Sequence, residues 1–166
     1  MAFGACRRGP PGARAAALKP PAALAWGVPD ITRDDDAVRR LLAGRPRIAV
    51  VGASDDRSRD SNRIFRYLAQ AGYAVVPVNP RAAAVDGVPT VPDLAAAARL
   101  GPVDLVDVFR APEHVGPIVD EAVAVGAKAM WFQFGVVNPP AIEKAVRAGL
   151  DVVVDRCIKI EHARLL

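Results

Sequence analysis

Aromatic side chains are scarce in this chain: Phe, Trp and Tyr together make up 5% of its 166 residues. A core of this composition has to be assembled from small aliphatic groups, chiefly Ala and Val. Cysteine is scarcer still. Only Cys6 and Cys157 occur, one in the N-terminal stretch and one near the C-terminus. Two cysteines so placed make neither a disulfide framework nor a zinc spacing, and a reduced cytoplasmic chain is expected. No apolar run approaches the ~18–20 residues that a bilayer span needs. The N-terminal stretch also lacks the continuous hydrophobic segment of a secretory signal. Acids are absent from residues 1–29, which carry Arg7, Arg8, Arg14 and Lys19. The net charge of +4 belongs to that stretch, because the remaining 18 basic residues match the 18 acids. It is therefore poor evidence for a nucleic-acid surface on the fold.

Catalytic signatures are missing as well. There is no G-x-x-x-x-G-K-[ST] phosphate loop and no G-x-S-x-G nucleophile elbow. The two histidines, His114 and His162, stand apart from each other and from the cysteines, so no metal spacing is present. Each is expected to be a solvated or capping side chain.

What is present is a regular alternation. Residues 1–29, with Pro10-Pro11 and Pro20-Pro21, read as an irregular basic extension, and a folded domain is expected over 30–166. Thr32 as N-cap, the acidic turn Asp34-Asp35-Asp36 and the stripe Ala37, Val38, Leu41, Leu42 predict a lead-in helix, stopped by Gly44 and Pro46. Strands are predicted at 47–51, 74–78, 105–109, 129–132 and 150–154, and helices at 61–71, 92–99, 112–125 and 139–148. Several strands are unbroken apolar runs, as expected when helices cover both faces of a sheet. Gly72, Gly101, Gly126 and Gly149 follow the helical stretches, and Pro92, Pro112 and Pro139 open them. The pattern predicts an α/β fold: a Rossmann-like, doubly wound, parallel five-stranded sheet in three α/β/α layers.

Ligands of such sheets bind outside the carboxyl ends of the strands, so the residues following each strand carry the functional reading. After the first strand come Gly52, Ala53 and Ser54, then a polar loop with Arg57 and Arg59 leading to Ser61. Gly52 permits a tight turn and close backbone approach, and the arginines suit phosphate charge. The second and third glycines of G-x-G-x-x-G are absent. After the second strand, where a typical NAD site places an acid for the ribose hydroxyls, the chain has Asn79, Pro80 and Arg81. A cation there suits a phosphorylated ribose, as in NADP or coenzyme A; an exposed loop charge is the alternative. Phe109 and Arg110 follow the third strand, either as a wall and a charge at the mouth or as core and a partner for Glu113. Gln133 follows the fourth as a neutral donor and acceptor beside Gly135, a plausible ligand contact. Trp131 reads as core, and Phe134 with Val136-Val137 as an apolar rim. The fifth strand runs into Asp155-Arg156-Cys157, read as a local ion pair followed by a thiol without a paired base.

Taken together, Val51-Gly52-Ala53-Ser54, Pro77-Val78-Asn79-Pro80, Asp107-Val108-Phe109-Arg110, Trp131-x-Gln133-x-Gly135-Val136 and Asp155-Arg156-Cys157 occur in order. This succession resembles the small single-domain bacterial CoA-binding proteins, related to the CoA-binding domain of the succinyl-CoA synthetase alpha subunit. The resemblance covers about 34–166. It implies coenzyme A at the strand ends, with the 52–54 turn facing the diphosphate. Asn79, Pro80 and Arg81 would then lie near the adenosine 3′-phosphate, and Phe109 and Arg110 along the same groove. The synthetase's phosphorylated histidine belongs to a second domain, so ligase activity is not implied. The expectation is a cytoplasmic module for CoA or acyl-CoA, with no nucleic-acid or membrane partner and any protein partner unidentified. The alternative is an NADP-dependent oxidoreductase or an acyl-CoA-handling enzyme acting through Gln133 or Cys157.

Overall fold

The computed structural model describes residues 30–166; the expected basic extension and Cys6 lie outside the described residues. A short 3-10 turn, Ile31–Arg33, leads into α1 (Asp35–Ala43). Then come β1 (Ile48–Val51), α2 (Asp60–Gln70), β2 (Val75–Val78), β3 (Ala84–Val85) and β4 (Val88–Pro89). The chain continues through α3 (Leu94–Arg99), β5 (Leu105–Val108), α4 (Val115–Ala124), β6 (Ala129–Phe132), α5 (Pro139–Arg147), β7 (Asp151–Val154) and α6 (Ile158–Leu165). Five strands form one parallel sheet in the order β2-β1-β5-β6-β7, as expected of a doubly wound fold.

Alternation along the strands sorts the core into two clusters, one on each face. Ala49, Val51, Val106, Val108, Met130 and Phe132 point to one side, where α3, α4 and α5 cover them with Leu94, Ala97, Ile118, Val119, Ala141 and Ala145. Ile48, Val50, Leu105, Trp131 and Val153 point to the other, against Val38 and Leu42 of α1, Ile64, Phe65 and Leu68 of α2, and Ile158 and Leu165 of α6. Burial on both faces is why these strands read as unbroken apolar runs. Trp131 and Phe132 are the bulkiest fully buried side chains, standing back to back on opposite faces. The indole N–H of Trp131 donates to the Arg156 carbonyl at 2.7 Å, so its one polar atom is satisfied.

Local chemistry sets the element ends. Asp34, not Thr32, caps α1: its carboxylate accepts from the Ala37 N–H at 2.9 Å. The Thr32 hydroxyl instead accepts from the Val154 N–H at 2.9 Å, pinning the lead-in segment to the edge strand β7. Pro92 lies ahead of α3, whose cap is Asp93, and Pro112 opens a separate 3-10 turn (Pro112–His114) before α4. Gly72 (φ 86°) closes α2 as expected, its neighbour Tyr73 donating back to the Leu68 carbonyl. Two elements have no counterpart in the expected set. One is α6; the other is the β3–β4 hairpin, turned by Asp86 (φ 48°) and Gly87 (φ 82°), a two-residue turn with both φ angles positive.

Candidate functional site

The topology opens a crevice between β1 and β5. From β1 the chain leaves toward α2, on the face that also holds α6; from β5 it leaves toward α4, on the opposite face. The loops at the carboxyl ends of these two strands therefore diverge, as at any switch point of a doubly wound sheet.

Gly52 sits at the base of this crevice. Its N–H donates to the Val78 carbonyl at 2.9 Å, continuing the β1–β2 ladder by one residue. At φ 85° it turns the chain, and a Cβ there would stand 2.3 Å from the Phe109 carbonyl oxygen and 3.0 Å from Arg110 Cδ. Only glycine satisfies both constraints. Ala53 is fully buried in the core beneath the turn, and Ser54 is half-buried with its hydroxyl accepting from the Asp56 N–H.

Asn79 fills the position where an NAD site has its acid, and its side chain is committed to the loops. Its Nδ2 donates to the Ala53 carbonyl at 2.7 Å, and its Oδ1 accepts from the Arg81 N–H at 2.9 Å. On the other side, Asn62 Nδ2 donates to the Ser54 carbonyl at 2.9 Å. Two amide side chains thus clamp the 52–54 turn from opposite ends. Pro80 is exposed in the turn between Asn79 and Arg81.

The four expected arginines divide into two pairs. Arg57 reaches across to the β3–β4 hairpin and meets Asp86 at 2.7 Å, while Asp55 accepts from the Asp86 N–H at 3.0 Å. Arg59 lies 3.7 Å from Asp56. Arg81 is exposed and Arg110 half-buried, and among the described residues neither has a carboxylate partner; in particular, Arg110 does not pair with Glu113. The positive charge left uncommitted at the strand ends is that of Arg81 and Arg110. Phe109 is half-buried beside them, packed on the α2/α6 side.

The α2 N-terminus faces the same end of the sheet. Its N-cap is Arg59, whose side chain makes no capping hydrogen bond, and Ser61 in the first turn is buried. Among the described residues the first N–H groups of α2 are thus without a side-chain acceptor. Gln133 lies deeper than a mouth residue would: it is 5% exposed, and its Nε2 donates to Asp107 Oδ1 at 2.7 Å.

Asp107 carries no role in the sequence reading beyond its place in a motif. It is fully buried in the middle of the sheet, in register with Val50 on β1 and Trp131 on β6. Burial pushes its carboxyl up to about 7, opposed in part by the Gln133 hydrogen bond. Its second oxygen has no partner among the described residues. An acid within the apolar run Leu105-Val106-Asp107-Val108 was the visible sign of it.

The end of β7 corrects one expectation. Asp155 and Arg156 do not pair. Asp155, at φ 53°, accepts from the Gly135 N–H at 2.9 Å, whereas Arg156 meets Glu161 at 3.1 Å and Asp35 at 3.6 Å. Arg164 joins the same network, and its guanidinium holds the Asp35 carboxyl down at about 2. These side chains, with Phe134, line a shallow depression of about 390 Å3 beyond β6 and β7, away from the β1–β5 crevice. Phe134 and Val137 are exposed as a rim, but Val136 is buried. Cys157 is half-buried at the N-cap of α6, and His162 bonds Tyr67 Oη through Nδ1 at 2.8 Å, whereas His114 is exposed. Among the described residues no metal-binding cluster of His, Cys, Asp and Glu occurs, and no helix is long and apolar enough to cross a membrane.

A parallel five-stranded sheet with a glycine turn, an uncapped helix and free cations at its switch point defines a Rossmann-like small-molecule-binding fold. Residues 46–163 match the family model described as CoA binding domain, and the chain belongs to that family. The uncharacterized protein YneT of Bacillus subtilis is 36% identical over 126 residues, covering 76% of this chain and 92% of YneT. A hypothetical protein from Pyrococcus horikoshii superposes with a TM-score of 0.76 at 38% identity, covering 79% of this chain and 91% of that one. Cell-free ID.343 from Thermus thermophilus gives a TM-score of 0.74 at 37% identity, covering 80% of this chain and 98% of that one.

Proposed function

We propose that this chain binds coenzyme A across the carboxyl ends of β2, β1, β5 and β6, as a cytoplasmic binding module without ligase chemistry of its own. The observation that carries this reading is the division of charge at the switch point. Asn79 supplies no carboxylate for ribose hydroxyls, while Arg81 and Arg110 stand without acidic partners on either side of Gly52. That arrangement suits a ligand with a diphosphate at the glycine turn and a further phosphate on the ribose. Gly52, Ala53, Ser54 and Ser61 offer backbone and hydroxyl groups to the diphosphate. Asn79, Pro80 and Arg81 border the 3′-phosphate, Phe109 and Arg110 the groove, and Gln133 the far end. Arg57 and Arg59 serve chiefly to shape the loop through Asp86 and Asp56. Membership of the CoA-binding domain family supports the same ligand.

Isothermal titration with CoA, dephospho-CoA, NAD and NADPH tests the reading. CoA is expected to bind more tightly than dephospho-CoA and far more tightly than NAD. Clear heat with NAD and none with CoA would sink it.

A further inference from the structure

Buried at the centre of the sheet, Asp107 is a costly residue whose surroundings do not account for it. Apolar side chains replace it at the equivalent positions of the neighbouring strands, Val50 and Trp131. Its one hydrogen bond, to Gln133, has a directional consequence. As a carboxylate, Asp107 can only accept, so in its ionised form it selects the amide orientation in which Gln133 Nε2 points inward. The amide oxygen must then point the other way. Among the described residues Gln133 Oε1 has no hydrogen-bond partner, yet it is not fully enclosed, unlike the unpartnered Asp107 Oδ2. Gln133 Oε1 is therefore the part of this largely buried side chain that keeps some access to solvent, just past the end of β6.

We propose that Asp107 is a positioning residue that holds the Gln133 amide oxygen outward to accept an N–H from the pantetheine arm of the ligand. This rests on the CoA reading above. With the 3′-phosphate beside β2 and the diphosphate at β1, the remainder of the ligand runs toward β5 and β6. The ends of β1 and β6 are two strand spacings apart, ~10 Å, a gap that an extended arm with two secondary amides spans. Those amides are the only N–H donors on that half of the molecule, and a carbonyl acceptor is the group that recognises them. A glutamine with a free amide would offer donor or acceptor equally; the ionised Asp107 carboxylate, which only accepts, removes the ambiguity.

The test compares CoA with adenosine 3′,5′-bisphosphate, which carries the adenosine, the 3′-phosphate and one of the two 5′-phosphates without the arm. Titrations use the full chain as wild type, Gln133→Met, Asp107→Val and the double variant. Gln133→Met is expected to weaken CoA about fivefold, the value of one neutral hydrogen bond, and to leave the bisphosphate within twofold. Asp107→Val, which suits the strand and its Val106 and Val108 neighbours, is expected to weaken CoA about threefold, again sparing the bisphosphate. The double variant should bind CoA no more weakly than Gln133→Met alone, because a positioning residue has nothing left to position. Unchanged CoA affinity in Gln133→Met, equal losses for both ligands, or additive losses in the double variant each overturn the inference and leave the CoA reading standing. Wild type that binds neither ligand overturns the CoA reading itself. Should Asp107→Val fail to fold, the Gln133→Met comparison still decides whether the acceptor contacts the arm.

Discussion

Replacing Asp107 with Asn is expected to make this protein more stable in mildly alkaline solution and to change little in mild acid. In the unfolded chain the carboxyl titrates near 3.8; burial raises it to about 7 in the fold. Below pH 3.8 both states bind the proton. Between 3.8 and 7 the native state keeps it and the unfolded state does not, so stability falls as pH rises through this window and levels off above it. A displacement of about 3 units at 1.36 kcal/mol each corresponds to about 4 kcal/mol. Asn matches the neutral acid in shape and never ionises, so it escapes this loss. Urea unfolding of wild type and Asp107→Asn at pH 5, 6, 7 and 8 measures the difference directly. The stability gap should widen by several kcal/mol toward pH 8, on the order of 10 °C in Tm for a domain of this size. Other titrations cancel in that difference. His162, whose imidazole burial pushes down, gains stability with rising pH in both proteins, and Asp35, Asp56 and Asp104, held down by their partners, act in acid in both. Parallel stability profiles for the two proteins would refute the reasoning.

Arg81→Ala is expected to weaken CoA about tenfold, as befits removal of a charge-assisted hydrogen bond to phosphate, while dephospho-CoA stays within twofold; equal weakening of both ligands in titration removes Arg81 from the 3′-phosphate. Gly52→Ala should lose about 2 kcal/mol or more through positive φ and collision with the Phe109 carbonyl, with CoA binding abolished, read by denaturant unfolding and calorimetry. Glu161→Gln, which leaves the buried end of the Arg156 and Arg164 network without its charge, should cost roughly 1–2 kcal/mol. Its CoA affinity should stay at the wild-type level, because that network lies beyond β7.

The sheet was legible because every strand is buried on both faces and so appears as a short apolar run between turns. Residues 129–132 match β6 at both ends, and the other four strands differ by one residue at a terminus. The helix α6 was not legible: Ile158 and Leu165 are buried but Ile160 between them is exposed, so the apolar face is sparse. Two-residue strands such as β3 and β4 leave no periodicity to read, although Asp86-Gly87 is a turn pair in its own right. Site residues on one strand end were visible from the fold rule. Their partners were not, because the deciding interactions join distant segments. Arg57 finds Asp86 and Asp107 finds Gln133 across the sheet, whereas the adjacent Asp155 and Arg156 turn to different neighbours.

The double commitment of Asn79 has a consequence for altering what this protein binds. The obvious redesign toward NAD is Asn79→Asp, restoring an acid for the ribose hydroxyls. That exchange deletes the donor to the Ala53 carbonyl and sets a negative oxygen 2.7 Å from another oxygen, directly under the glycine turn. On the proposed CoA reading, ligand choice and the shape of the turn are thus encoded in one side chain. A change of nucleotide here has to be accompanied by a second substitution that gives the Ala53 carbonyl a new donor, so the two preferences are separated by more than one mutational step.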